Sequence, residues 1–171
     1  MAQTLPSDLP DLDVVSGWVR SLRDITDNVT AALAQTCAKD GALVPEALDQ
    51  QQLPNFELAW ATAELLAAES GLRAMASHDD DLNTRLVLIY TAEALISIRD
   101  RLDGIMLELG LPDNELHALL MQPEVKAFRK AVSGTEFLHE TARMLADTPI
   151  DIARLAGGEL AISEDASMVQ D

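Results

Sequence analysis

Residues 79–109, DDDLNTRLVLIYTAEALISIRDRLDGIMLEL, decide the fold of this chain. Leu88, Ala92, Leu95, Ile98, Leu102, Ile105 and Leu109 recur every three or four positions. That interval places them on one face of an α-helix. The first half, Leu86 to Tyr90, is apolar all round, which implies burial on several sides. A helix of this length and character belongs at the centre of a helical bundle. The three acids at its start suit a helix N-terminus, where the macrodipole favours negative charge.

The same periodicity extends outward. From Asp11, the positions Val14 or Val15, Trp18, Leu22, Ile25, Val29 and Leu33 predict a helix over 11–39. Asp40-Gly41 is a turn pair, and Gly41 suits a left-handed helix cap. Pro45 opens a short helix, and Pro54 breaks it, with Asn55 as the cap of a helix over 56–76. In that helix Leu58, Leu65, Leu72 and Met75 mark one apolar face and Phe56, Trp60, Ala63 and Ala67 a second, which implies two neighbours. Gly110-Leu111-Pro112 ends the central helix. Shorter helices follow from Pro112-Asp113, from Pro123 and after Ser133-Gly134. Ser133 and Glu136 have the spacing of a capping box. The last helix is expected to turn Leu138, Ala142 and Leu145 inward. The segment from Thr148, with Pro149 and Gly157-Gly158, has no sustained period.

The expected architecture is therefore all-α: a bundle of four to six helices around 79–109, with an acidic, partly irregular C-terminal tail. Residues 1–10 form an irregular lead-in, 11–147 the bundle, and 148–171 a linker or tail. Aromatics supply only 4% of the 171 residues, so the core must be aliphatic.

Composition restricts function. The formal net charge is −17, and such a chain is repelled by nucleic-acid phosphates and by anionic membrane surfaces, so neither is an expected partner. No stretch approaches the ~18 consecutive apolar residues of a bilayer span. The N-terminus lacks the basic-then-apolar pattern of a signal peptide. Cys37 is the single cysteine and has no internal disulfide partner, which fits a reducing cytoplasm.

Several side-chain patterns carry potential chemistry, and each has a plainer reading. Glu136-x-x-His139 has the spacing used in di-iron bundles, but those sites need two such motifs and further glutamates. A capping glutamate and a surface or partly buried histidine is the plainer account. His78 with Asp79, Asp80 and Asp81 could bind a cation, yet lacks the alternating ligands of an EF-hand; a solvated acidic loop explains it. Cys37 has no histidine near it in sequence and reads as a small core residue. Glu64, Glu69, Glu93 and Glu108 would form an acid–base pair only if two were held together inside the bundle, and Glu69 to Arg73 has the favoured order of a helical ion pair. Trp18 and Trp60 read as core anchors, with partner binding as the other role. No phosphate loop or nucleophile elbow is present. The chain thus carries no legible catalytic, cofactor-binding or metal-binding residue of its own.

Residues 159–171, ELAISEDASMVQD, resemble the opening of the acyl-CoA dehydrogenase catalytic body, where a lead of the form Leu-Thr/Ser-Glu-Asp/Glu-x-x-Met-Val/Ile-x-Asp begins the first helix. The block before it is similar to the helical N-terminal extension of the methylsuccinyl-CoA dehydrogenase type, through Asp40-Gly41, the run from Pro45, and Leu58-Ala59-Trp60 followed by alanines and glutamates. The resemblance implies an accessory or assembly domain of a flavoprotein whose parent reaction is FAD-dependent oxidation of an acyl-CoA. It implies no site residue here, because the FAD-binding segments and catalytic base of that family lie in the catalytic body. The expected partner is then that body or another protein, with a homo-oligomer compatible. The alternative is a free-standing acidic helical adaptor that docks onto a basic partner.

Overall fold

The computed structural model describes residues 9–77 and 80–148. Residues 1–8 of the expected lead-in over 1–10, residues 149–171 of the expected tail over 148–171, and His78 and Asp79 of the acidic loop lie outside the described residues. The elements are α1 (Leu12–Thr36), β1 (Ala38–Lys39), β2 (Ala42–Leu43), α2 (Pro45–Gln50), α3 (Gln52–Met75), α4 (Asp81–Leu109), α5 (Asn114–Met121), α6 (Pro123–Val132) and α7 (Thr135–Asp147). The fold is an all-α bundle. Seven helices are present among the described residues, one more than the upper bound of the expected four to six; the short α2, α5 and α6 are those expected at Pro45, Pro112-Asp113 and Pro123. No helix of the described residues is long and apolar enough to cross a membrane.

The central helix is where its periodicity places it. Leu88, Ala92, Leu95, Ile98, Leu102 and Ile105 are all buried, and α4 packs against α1, α3, α6 and α7. Asp80 caps its start, its side chain accepting from the Asn83 amide at 3.0 Å. Gly110, at φ 65°, ends it in the left-handed conformation that a glycine adopts at little cost. The approach of α3 to α4 is close at Gly71: a Cβ there would lie 3.1 Å from a methyl of Val87. In α1 the inward residue of the Val14–Val15 pair is Val15, and Trp18 stacks at a tilt on Phe128 of α6 with ring centroids 5.5 Å apart. The buried threonines Thr26, Thr91 and Thr141 satisfy their hydroxyls on the carbonyl four residues back, so they cost the core little.

Several local expectations are corrected. The first helix stops at Thr36 rather than near Lys39, because Asp40 and Gly41 both take positive φ (52° and 81°) as the loop of a two-residue hairpin that pairs Ala38 with Leu43 and Lys39 with Ala42. Aspartate-glycine is favoured in such a loop. Pro54 does not separate two helices; it sits in the first turn of α3, which begins at Gln52, where a missing N–H is harmless. Asn55 is therefore inside the helix and not its cap. Ser133 forms no capping box with Glu136. Its own N–H still bonds to Arg129 O, closing α6, and Gly134 takes the capping position with no side-chain bond. Leu138, Ala142 and Leu145 face outward; α7 is turned by one residue and buries Phe137 and Thr141. Leu86 and Tyr90 reach the surface, so the start of α4 is not enclosed on all sides.

Arg85 lies where α7 meets α4, against the face that α7 turns inward. Its side chain is 0% exposed. The guanidinium lies 4.8 Å from the centroid of the Phe137 ring, its Nε donates to Asp81 Oδ2 at 3.3 Å, and its Nη1 sits 3.1 Å from Glu140 Oε2. A buried cation demands counter-charge, and turning Phe137 and Glu140 inward supplies both a ring face and a carboxylate.

Candidate functional site

The sequence-derived candidates are dispersed. Glu136 and His139 are both exposed on α7, and no group of three or more metal-ligating side chains occurs among the described residues. Asp80 and Asp81 are engaged by Asn83 and Arg85. Cys37 is buried where the hairpin folds over the end of α1, its Sγ 3.8 Å from Ala47 O. Glu69 pairs with Arg23 of α1 and not with Arg73: the contact is bidentate, with both N···O distances 2.9 Å. It joins α1 to α3 and holds the Arg23 guanidinium pKa above its ordinary value, chiefly through the hydrogen bond to Glu69.

The side chains that do converge lie along one edge of the α3–α4 pair, and three of them, Glu57, Ser97 and Arg101, are not among the sequence-derived candidates. Arg101 donates to Glu57 Oε2 through a short contact, and its Nη2 lies 3.5 Å from Glu64 Oε1. Ser97 Oγ donates to the same Glu64 oxygen at 3.0 Å. Tyr90 OH donates to the Glu64 carbonyl at 3.3 Å. Partial burial, followed by the nearby Glu64 charge, raises the Tyr90 phenol above its usual range. The pairs recur at helical spacing: 57 and 64 lie two turns apart on α3, 97 and 101 one turn apart on α4. That spacing was present in the sequence, but nothing in it says which turns of two helices meet.

Trp60 corrects a further expectation. It is not a core anchor: it is 50% exposed, edge-on to an exposed Phe56 with centroids 6.2 Å apart, and the Arg101 guanidinium lies 5.8 Å from its ring centroid. The second apolar face of 56–76 is real as a sequence pattern, yet it points to solvent. Leu53, Phe56, Trp60 and Leu66 are all large, apolar and exposed on α3, while Ala61, Leu65, Ala68 and Leu72 meet the core. On α4, Leu107 is 82% exposed. The touching pair Phe56 and Trp60 is the centre of the exposed apolar face of α3, and apolar patches mark interaction sites more often than isolated exposed residues do.

Beside Leu53 a groove of about 360 Å³ opens between α3 and α4. Pro54 and Ile105 supply apolar wall; Glu57, Asp100, Arg101 and Glu108 supply charge. A smaller recess of about 280 Å³ lies between α1 and the α4–α5 connection, lined mainly by Ile25, Val29, Met106 and Leu111. That volume is below the range of most small-molecule sites. What the α3–α4 edge offers is recognition: aromatic surface, a shallow groove and fixed charges. No protein-family model and no curated protein matches this chain.

Proposed function

We infer that this chain is a non-catalytic helical docking domain, the accessory or assembly part of an acyl-CoA dehydrogenase-like flavoprotein working in the cytoplasm. The observation that carries the docking half is the outward face of α3. A 24-residue helix that buries one side and leaves Leu53, Phe56, Trp60 and Leu66 on the other has apolar surface beyond what its own core uses. The resemblance of residues 159–171 to the start of a catalytic body supports the flavoprotein half. In that role the chain binds no FAD itself and performs no step of the parent oxidation; it supplies surface on which the body or the assembly is held.

Two measurements test the two halves separately. The native polypeptide that contains this chain is isolated from its source cells with an antibody to the bundle, and its flavin is read by visible absorbance. Absence of flavin overturns the flavoprotein assignment and leaves docking standing. Radical footprinting read by mass spectrometry then compares Phe56 and Trp60 in the native material and in the isolated chain. Reduced oxidation in the native material is the expected result; equal oxidation overturns docking through α3. A net charge of −17 favours a second reading, a free-standing acidic adaptor. It predicts native material of the size of this chain, without flavin, but with the same protection at Phe56 and Trp60.

A further inference from the structure

The outward face of α3 is regular enough to specify what it holds. Leu53, Phe56, Trp60, Ala63 and Ala67 follow at intervals of three, four, three and four residues, and each is exposed. That is the a/d spacing of a helix–helix seam; an extended strand, whose side chains alternate with period two, would not match it. Ala59 and Leu66 are also exposed beside the seam, so no exposed charge interrupts it over this length. Phe56 and Trp60 form bulky knobs at one end, while Ala63 and Ala67 allow close approach at the other.

The seam's surroundings specify charge. At the Leu53 end, the groove against α4 carries Glu57, Asp100 and Glu108 beside Arg101. The Arg101 guanidinium is already divided between Glu57 and Glu64, and Asp100 meets Arg99 in an exposed contact at 2.6 Å. The local balance is still acidic: four carboxylates face two guanidinium groups. Gly104, in the same groove, has no atom within 4 Å of where a Cβ would stand, so a long side chain has room to enter. A second copy of this chain would bring another −17 against the same acidic groove. Residues 149–171 carry Asp151, Glu159, Glu164, Asp165 and Asp171 against the single Arg154. Both occupants have the wrong sign.

We propose that the α3 seam binds an amphipathic helix of a protein partner, with its apolar stripe on Leu53, Phe56, Trp60, Ala63 and Ala67 and a flanking lysine or arginine set into the Asp100–Glu108 groove. This rests on the docking reading above and gives that surface a partner chemistry. Whether the partner helix belongs to a catalytic body or to a separate protein does not alter the recognition.

The probe is a fluorescein-labelled synthetic helix with leucine at a and d and lysine at e and g, compared with its glutamate counterpart, on the full chain. The lysine helix binds, more weakly as salt rises, and shifts Trp60 emission to the blue. Phe56→Ser with Trp60→Ser weakens binding by about tenfold or more, as loss of aromatic anchors does. Asp100→Lys with Glu108→Lys weakens it and flattens its salt dependence. Leu145→Ser, exposed on α7, leaves it unchanged. All four aromatic and acidic positions are exposed, and circular dichroism checks that each variant remains helical; the two pairs are independent, so either carries the test. Unchanged binding in both paired variants overturns the proposal, since attraction would then be diffuse. Equal binding of the glutamate helix overturns it too. So does a dimer, seen by sedimentation, that dissolves in the Phe56→Ser, Trp60→Ser variant, because the occupant would be a second copy. The flavin measurement is independent of all these outcomes.

Discussion

Removing the charge of Glu140 should cost more than removing the cation it serves. Arg85 is 0% exposed, whereas the Asp81 and Glu140 side chains keep 24% and 30% of their exposure. Glu140→Gln leaves a fully buried guanidinium with one carboxylate, Asp81 Oδ2 at 3.3 Å. Breaking a buried pair costs about 3–5 kcal/mol when the remaining charge is stranded. One counter-ion persists here, so we expect about 2–3 kcal/mol. Arg85→Met removes the buried charge itself. The two carboxylates turn toward water, the apolar stem still fills its space, and the loss is mainly the contact with Phe137 and the ion pairs, about 1–2 kcal/mol. The double variant should cost about the same as Arg85→Met alone, because glutamine at 140 then strands nothing. Urea unfolding followed by circular dichroism, extrapolated linearly, gives all three values. The double-mutant cycle should show a coupling of at least about 1 kcal/mol. Strictly additive costs, or a Glu140→Gln cost below about 0.5 kcal/mol, would refute the claim that Glu140 neutralises a buried charge.

Other expectations follow from the same geometry. Leu95→Ala or Ile98→Ala, each 1% exposed, should cost about 2–5 kcal/mol in urea unfolding, while Leu107→Ala on the outer side of the same helix should cost less than about 0.5 kcal/mol; similar costs would mean α4 is turned differently. Gly104→Ala should stabilise the chain by about 0.5–1 kcal/mol, since the site is a helix interior with open space at the Cβ, and a raised urea midpoint checks this. Tyr90 is the one tyrosine and should titrate above the usual phenol value of 10.0, read by tyrosinate absorbance. Its unfolded form ionises first as pH rises past that value, so the unfolded state then holds fewer protons than the folded one. Stability should therefore fall with rising pH from there, and Tyr90→Phe should remove that part of the fall.

Much of this architecture was legible because aliphatic residues repeat at helical intervals. Val15, Trp18, Leu22, Ile25, Val29 and Leu33 in α1, and Leu88 to Ile105 in α4, lie inward as their spacing requires. What escaped depends on contacts between distant segments. Arg85 sits beside the apolar Leu86–Tyr90 run, and nothing local marks it as buried, since its counter-charge at Glu140 comes from another helix. That pairing lies on the face that α7 turns inward, where Phe137 and Thr141 are buried in place of Leu138, Ala142 and Leu145. Glu69 had a suitable partner four residues on, yet tertiary approach of α1 supplied Arg23 instead. The clearest case is α3. Two apolar faces were read correctly as a pattern, but a pattern records only that a face avoids water. It does not say whether the bundle or something else covers it, and Trp60 shows the difference.

The hairpin and α2 form a small flap over Cys37. The flap is held by the bond from the Val44 amide to Cys37 O at 2.9 Å and by the α2 backbone near the sulfur, while α2 buries no residue of its own. Segments with so few apolar contacts open locally long before the whole chain unfolds. Since the molecule carries one thiol, the speed at which an alkylating reagent captures it times a single event, the lifting of residues 38–50 from the tip of α1. The fold thereby contains its own stopwatch, readable by mass alone, for a motion that leaves the helical core at rest.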